Sequence, residues 1–524
     1  MSHNLIQDVL FKAKSVAELD RIAIEEQGIA GIVLMKRAGR AVLNELLDTF
    51  GEPSLLSVFC GSGNNAGDGY IVAALAAAKN IPVQVIELSQ QQTGDASMAK
   101  QFALEANVAC LAFDENLSID EGVIVDSLLG IGFSGELRHP FGEAIQLIND
   151  SGLPVIAVDI PSGLNPDTGD VAQIAVLADM TVTFIAAKQG LFSGQGPGVS
   201  GDVILDSLEL PEEIFEQVPA SAELLDLFEL LEYLPQLAVD GHKTQRGHSM
   251  VIGGEHGFGG AAIMAAQACL QVGAGMTSLA TRPEHVGAML VRQPEIMACP
   301  VVSGQELEPL LDGPSVLVVG PGLGRSSWSE QLLQKAVAAG LPMVLDADAL
   351  NILAEGRVVP NPDGSQWVLT PHAGEAARLL GISVAEVQAD RFAAVRQLQE
   401  KYAAVVLLKG PGTLIAGIDE IIKVCPYGDA AMATAGMGDI LSGIIGGLIA
   451  QGCDLQTATE LGCCLHSSAA ELVVDAQGQR GLVATDLLPQ LRRLLNEDMP
   501  FNNAAALNPA AALNPTAALD QDAL

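Results

Sequence analysis

The sequence predicts an α/β chain folded as two successive three-layer αβα domains. Three observations predict it. At about 150 residues per domain, 524 residues exceed a single core. Near-continuous apolar runs alternate with Gly-rich turns and helical stretches, the pattern of parallel strands covered on both faces. That alternation breaks once, in an acidic, leucine-rich stretch over 210–239 carrying Pro211, Pro219 and Pro235. The boundary falls near residue 225, giving domains 1–222 and 223–500 and a tail, 501–524.

Along the first domain, residues 16–47 carry apolar positions at helical spacing with charges between them, so one or two leading helices pack on a sheet. The runs SLLSVFC, IPVQVIEL, GVIVDSLLG, LPVIAVDIPSG and MTVTFIAA then read as its strands, with a helix beginning near Tyr70 after the first. In the second domain the strands are SMVIGG, MTSLAT, SVLVVGPGLG, PMVLDADAL, QWVLTP and AVVLLKGPGT, separated by Ala-rich helices. The tail contains AAALNP twice, and its Asn and Pro residues oppose a packed helix, so it is expected to be disordered.

Composition narrows the function. With 26 Lys and Arg against 63 Asp and Glu, the net charge of −37 repels phosphate backbones and anionic membranes. No nucleic-acid partner is expected. Small anions still bind where backbone N–H groups converge at a helix start. The apolar run 440–450 is far shorter than the roughly 20 residues of a membrane span, and the N-terminus lacks a signal-peptide pattern, so a cytoplasmic protein is expected. The eight cysteines form no CxxC pair and read as reduced, mostly buried thiols.

The first chemical constellation follows the strand ending at Cys60, in Gly61-Ser62-Gly63-Asn64-Asn65-Ala66-Gly67-Asp68-Gly69. Gly61-x-Gly63-x-x-Ala66, with Glu87 downstream, fits a loose dinucleotide fingerprint. Two Asn and an Asp, however, put side-chain oxygens where a dehydrogenase leaves bare backbone, and these suit a sugar or a hard cation. Asp126 and Asp159 both lie at predicted carboxyl ends of parallel strands, where open sheets build their crevice, although either also reads as a helix cap. Lys188, in AAKQGLFSGQGPG, is a salt-bridge or a site lysine.

Together GSGNNAGDGY, VDSLLGIGFSGE, AVDIPSG and AAKQGLFSGQGPG resemble the Rossmann-like epimerase domain of the NAD(P)H-hydrate repair enzymes. The resemblance implies that Asn64, Asn65, Ala66, Gly67 and Asp68, then Gly130, Ile131, Gly132, Phe133, Ser134, Gly135 and Glu136, and also Asp159, contact a hydrated nicotinamide nucleotide. It also implies that Asn65, Asp126 and Ser162 hold potassium. Interconverting R and S hydrates at C6 requires proton movement or ring opening at a hemiaminal-like carbon, and Asp159 is the expected acid or base. Two positions depart from the common pattern, Ala66 for Gly and Lys36 for Glu.

The second constellation is Lys409-Gly410-Pro411-Gly412-Thr413, followed by Ala435-Gly436-Met437-Gly438-Asp439 opening a small-residue helix. Glycines before a helix let N–H groups converge on phosphate, and an Asp at that mouth takes a proton from a hydroxyl about to be phosphorylated. With HKTQRGHSMVIGG, GPGLG, DADALN and LTPHAGE in order, this half resembles the ribokinase-like dehydratase of the same family. The resemblance implies that Ala261, Gly324, His372 and Asp439 contact the hydrate, with Gly322 competing with Gly324. It assigns Lys409, Gly410, Pro411, Gly412, Thr413 and Gly438 to the adenine nucleotide, ADP or ATP, with magnesium. Met437 replaces the usual Thr. The expected partners are thus NADHX, NADPHX and an adenine nucleotide, with a homo-oligomer expected. The competing function is a ribokinase-like small-molecule kinase carrying an N-terminal nucleotide-binding scaffold.

Overall fold

The computed structural model describes residues 8–496 except 134, 172, 238 and 361. The described chain forms two compact units, 8–223 and 224–496. The tail expected to be disordered lies outside the described residues.

In the first unit the strands are β1 (Val9–Phe11), β2 (Leu56–Cys60), β3 (Val83–Glu87), β4 (Ala109–Ala112), β5 (Val123–Ser127), β6 (Val155–Val158), β7 (Met180–Phe184), β8 (Ala187–Lys188), β9 (Asp202–Asp206) and β10 (Ala222–Leu224). A seven-stranded sheet runs β4-β3-β2-β5-β6-β7-β9, every pair parallel. The helix Gly31–Phe50 turns Leu34, Ala38, Val42 and Leu46 inward at helical spacing, and each buried leucine contributes about 1.5–3 kcal/mol. Gly39 lets this helix approach the helix Asn64–Ala78, because a Cβ there would collide with Ile71.

The second unit begins β11 (His248–Ile252), β12 (Met276–Thr281), β13 (Met297–Pro300) and β14 (Val316–Val319). It continues β15 (Met343–Leu345), β16 (Trp367–Leu369), β17 (Val405–Leu408), β18 (Thr413–Ala416) and β19 (Ile422–Cys425). The order is β13-β12-β11-β14-β15-β16-β17-β18-β19, parallel up to β17 and antiparallel beyond. The helix Met437–Ala450 packs against the helix Gly259–Gln271 through Gly443 and Gly447, and against Val318 of β14 through Gly446.

Strand order reverses between β2 and β5 in one sheet and between β11 and β14 in the other. Loops leaving the carboxyl ends there diverge and open a crevice. One expectation is corrected: the helix after β2 starts at Asn64, not near Tyr70. Gly63, at φ +89°, turns the chain sharply enough to begin the helix immediately. Asn64, Asn65 and Asp68 are therefore helical residues rather than loop residues. The run AVVLLKGPGT divides into β17 and, after the 409–412 turn, β18, which begins at Thr413.

Candidate active sites

In the first unit, β2–β5 pairing sets Phe59 beside Asp126. Asp126 is fully buried and accepts hydrogen bonds from Ser162 N at 2.7 Å, Ser162 Oγ at 2.6 Å and Leu128 N at 3.2 Å. Burial pushes its carboxyl up to about 6 even so. Asn65 Nδ2 donates to the Leu129 carbonyl at 2.8 Å, and Leu129 N donates to Ser162 Oγ at 2.9 Å. Among the described residues, buried Asn65 Oδ1 has no hydrogen-bond partner. An orphaned amide oxygen near a buried carboxylate and hydroxyl is an all-oxygen donor set, which fits a hard cation.

Asp159 follows β6 in a left-handed conformation, φ +70°, a strain of about 1–3 kcal/mol that persists only where the surroundings enforce it. Lys188 enforces it here. Its ammonium, 1% exposed, donates to Asp159 Oδ1, to Thr183 Oγ1 at 3.0 Å and to the Phe184 carbonyl at 2.8 Å. Thr183 Oγ1 and Phe184 N also donate to Asp159, at 3.4 and 3.3 Å. Asp159 and Lys188 lie in a cleft of about 1050 Å³ that Asp20, Asn64, Asn65, Asp68 and the 130–133 turn also line, ample for a nucleotide. A concavity of about 1140 Å³ elsewhere in this unit is slightly larger, but it contains none of the expected ligands.

In the second unit, an ion pair with a buried carboxylate stands at the mouth of the Met437–Ala450 helix. Lys409 Nζ, just past β17, donates to Asp346 Oδ1 at 2.8 Å, and Ser442 Oγ donates to Asp346 Oδ2 at 2.6 Å. Burial opposes the Lys409 ammonium, but Asp346 and Glu375 more than offset it and raise its pKa. Gly438 leaves room for this pair: a Cβ there would lie 3.2 Å from Lys409 Nζ and 3.5 Å from Asp346 Oδ2. Asp439, in the first helical turn, is pushed up to about 7 by burial and by Asp346, with Lys409 opposing. A carboxyl poised there exchanges a proton near neutrality.

Arg391 shapes the adjoining 409–413 turn from behind. It is 1% exposed and donates to the carbonyls of Leu408 at 3.3 Å, Gly412 at 3.2 Å and Lys409 at 3.5 Å. Burial lowers its guanidinium to about 10. Gly410, at φ +145°, has no space for a side chain against that guanidinium. At the switch point, Gly322 packs against Phe258 and Ala261, and Gly324 N donates to Asp348 Oδ2 at 2.9 Å. Glu255 lies against Gly324 and receives Arg282 Nε at 2.6 Å and Nη2 at 3.0 Å. Burial opposes that carboxylate, but the Arg282 and Ser326 hydrogen bonds prevail and lower it to about 2.

Comparison with known proteins covers both units. Residues 31–190 match the family model described as YjeF-related protein N-terminus, and residues 249–493 match that of NAD(P)H-hydrate dehydratase. The bifunctional NAD(P)H-hydrate repair enzyme Nnr of Coxiella burnetii is 47% identical over 490 residues, 93% of this chain and 99% of that one. The chain belongs to the bifunctional NAD(P)H-hydrate repair enzymes. The Escherichia coli repair enzyme is 37% identical over 503 residues, 95% of this chain and 96% of its own. A solved ADP/ATP-dependent NAD(P)H-hydrate dehydratase from Bacillus subtilis is 26% identical, covering 51% of this chain and 96% of that chain, with a TM-score of 0.46.

In this repair-enzyme chain, Asn64, Asn65, Asp68, Gly130, Ile131, Gly132, Phe133, Glu136 and Asp159 line one cleft. Ala66 and Gly67 do not: Ala66 is fully buried and Gly67 faces Met35. Gly135 is exposed outside the cleft, and Ser134 lies outside the described residues. Asp126 and Ser162 are fully buried and joined by hydrogen bonds, and neither lines the cleft. In the second unit, Lys409, Gly438 and Asp439 gather about Asp346. His372 is exposed and caps the helix Ala373–Leu380, its Nδ1 accepting from Gly374 N at 2.9 Å. Met437 turns into the core, 6% exposed, so its replacement of Thr places no thioether at the mouth. Sequence reasoning missed Asp20, Arg391 and Glu255, none of which belongs to a motif quoted above.

Proposed function

We propose that this repair-enzyme chain restores hydrated nicotinamide nucleotides, the first unit interconverting R- and S-NAD(P)HX and the second dehydrating the S form at the expense of ADP, with ATP as the alternative donor. What supports the reading is that both units, matched along 93% of the chain by one relative, each present an aspartate ion-paired with a lysine just past the carboxyl end of a sheet strand. Asp159 takes the C6 hydroxyl proton in the first cleft. Asn64, Asn65 and Asp68 of the helix start, with Gly130, Ile131, Gly132, Phe133 and Glu136 of the following loop, hold the hydrate. Asn65, Asp126 and Ser162 would hold potassium, which would supply a fixed positive charge.

In the second unit, Ala261, Gly324 and His372 flank the hydrate, while Lys409, Gly410, Pro411, Gly412, Thr413 and Gly438 hold the nucleotide, accompanied by magnesium. Asp439 accepts the C6 hydroxyl proton as that oxygen takes the phosphoryl group. Phosphate then leaves with the C5 proton, restoring the double bond and leaving AMP. One chain needs both activities because spontaneous hydration gives both epimers and dehydration consumes one. The substrates are small and diffusible, and the setting is the cytoplasm.

The test is near-ultraviolet absorbance of reduced nicotinamide after a mixed R/S hydrate meets the chain with magnesium, potassium and ADP or ATP. Full recovery is expected, none with Asp439→Ala, and slow conversion of the R fraction with Asp159→Ala. No NADH with either nucleotide would overturn the reading. A phosphorylated product that persists would point to a kinase.

A further inference from the structure

Two carboxyls line the first-unit cleft in unlike surroundings. Asp159 is held by the Lys188 ammonium, Thr183 and the Phe184 amide, partners that stabilise a carboxylate. Asp68 has no hydrogen bond or ion pair among the described residues, yet it lines the same cleft. It lies past the first turn of the Asn64–Ala78 helix, beyond the main reach of the positive helix end. The groups facing it are mostly acidic. Asp20 comes from the helix Ala13–Glu25, Asp95 from the helix Gly94–Glu105, Asp159 from the end of β6, and Glu136 and Arg138 from the loop after β5. Lys188 is already engaged by Asp159.

We propose that Asp68 is the proton donor of the first unit's reaction and works as the acid opposite Asp159, the base. This rests on the epimerase reading given above. Burial, then Asp159 and Asp20, raise the Asp68 carboxyl well above its ordinary range, with Lys188 opposing. Two carboxyls in unlike surroundings, one held by an ammonium and one without a partner among the described residues, supply a base and an acid in one cleft.

The step balances without a further reagent. Asp159 carboxylate takes the C6 hydroxyl proton, the C6–N1 bond breaks with its electron pair passing to N1, C6 becomes an aldehyde carbon, and Asp68 gives its proton to N1. Rotation about C5–C6 presents the other face. N1 then attacks the carbonyl, returns its proton to Asp68, and the new hydroxyl takes the proton from Asp159. Nothing is oxidised or reduced.

The experiment uses the full chain with ADP, magnesium and potassium, following NADH from purified R hydrate across pH, with S hydrate as a control that bypasses the first unit. For R hydrate, Asp68→Asn is expected to lower kcat by about 10²–10³-fold with KM within about threefold, and to abolish the alkaline fall in rate. Asp68→Glu is expected to restore part of kcat and that fall. NADH from S hydrate stays unchanged. A raised KM at full kcat, or an Asp68→Asn enzyme that keeps the alkaline fall, would overturn the assignment and leave Asp68 a binding group. Loss of the alkaline fall in a folded, active Asp68→Glu enzyme would overturn it too. Wild type that fails to hasten R conversion while still consuming S would overturn the epimerase reading and this assignment with it. A chain inert on both epimers would overturn the whole repair reading.

Discussion

Replacing Asp439 by Asn is expected to abolish dehydration and yet stabilise the second unit in a pH-dependent way. The carboxyl rises from the ordinary 3.8 to about 7 in the fold, about three decades in proton affinity at roughly 1.4 kcal/mol each. Holding Asp439 ionised therefore costs the folded state about 4 kcal/mol as a ceiling, and about 2 kcal/mol once its partial exposure is allowed for. Because the folded pKa is raised, stability is fully present below about 4 and is lost as pH climbs to about 7, after which the loss is constant. The Asn variant escapes this loss. Its advantage should be near zero at pH 4, grow through the acidic range and level off above neutrality. Both tryptophans, Trp328 and Trp367, are buried in the second unit, so urea unfolding followed by tryptophan fluorescence reads that unit alone. An advantage equal at acidic and alkaline pH, or an Asn variant less stable than wild type at pH 8, would refute the reasoning.

Other outcomes follow from the same contacts. Lys188→Met strips the partner from Asp159 inside the fold, so the first unit should lose about 3–5 kcal/mol, visible in calorimetry as a lowered transition; an unmoved melt would contradict it. Arg391→Lys cannot span the three carbonyls it now bonds, so the nucleotide KM should rise about tenfold, or ~1.4 kcal/mol, with kcat nearly kept; initial rates against ADP check this. Asn65→Ala removes the orphaned amide oxygen, and R-hydrate conversion should lose its response to potassium titrated against a sodium background. Wild-type dehydration should fall about tenfold per pH unit below about 7, read from rates at saturating S hydrate.

The central strands were legible because β2, β5 and β6 of the first sheet are buried along their whole length and so read as continuous apolar runs. β4 was not: three of its four residues are exposed, and ACLA at a sheet edge lacks both an unbroken run and a strong alternation. β18 and β19 hide behind a glycine turn that resembles a plain loop. Asp159 and Asp439 stood out because strand-end and helix-mouth positions are where chemistry is built. Asp20 had no such mark, since it is one acid among several on an amphipathic helix and only tertiary packing turns it toward the cleft. Arg391 likewise looks like any helical arginine until its burial is seen. The start of the helix at Asn64 depended on one backbone angle, at Gly63, that residue type permits but does not dictate.

The glycines of the Met437–Ala450 helix bear on how tolerant the second unit is of change. Gly443 sets that helix on the Ala265 backbone of its neighbour, Gly446 on Val318, and Gly447 on Val272 and the Cys269 backbone. The helix therefore behaves as a stiff lever whose far end carries Asp439. A methyl group added at Gly443 meets the Ala265 carbonyl rather than a side-chain tip, so the helix as a whole must tilt or slide. The error arrives at the phosphoryl-accepting mouth, one to two turns away, as a displacement of the carboxylate. Substitutions that touch neither ligand should then behave as alignment defects, and the mildest of them would be felt in turnover before they are felt in melting temperature.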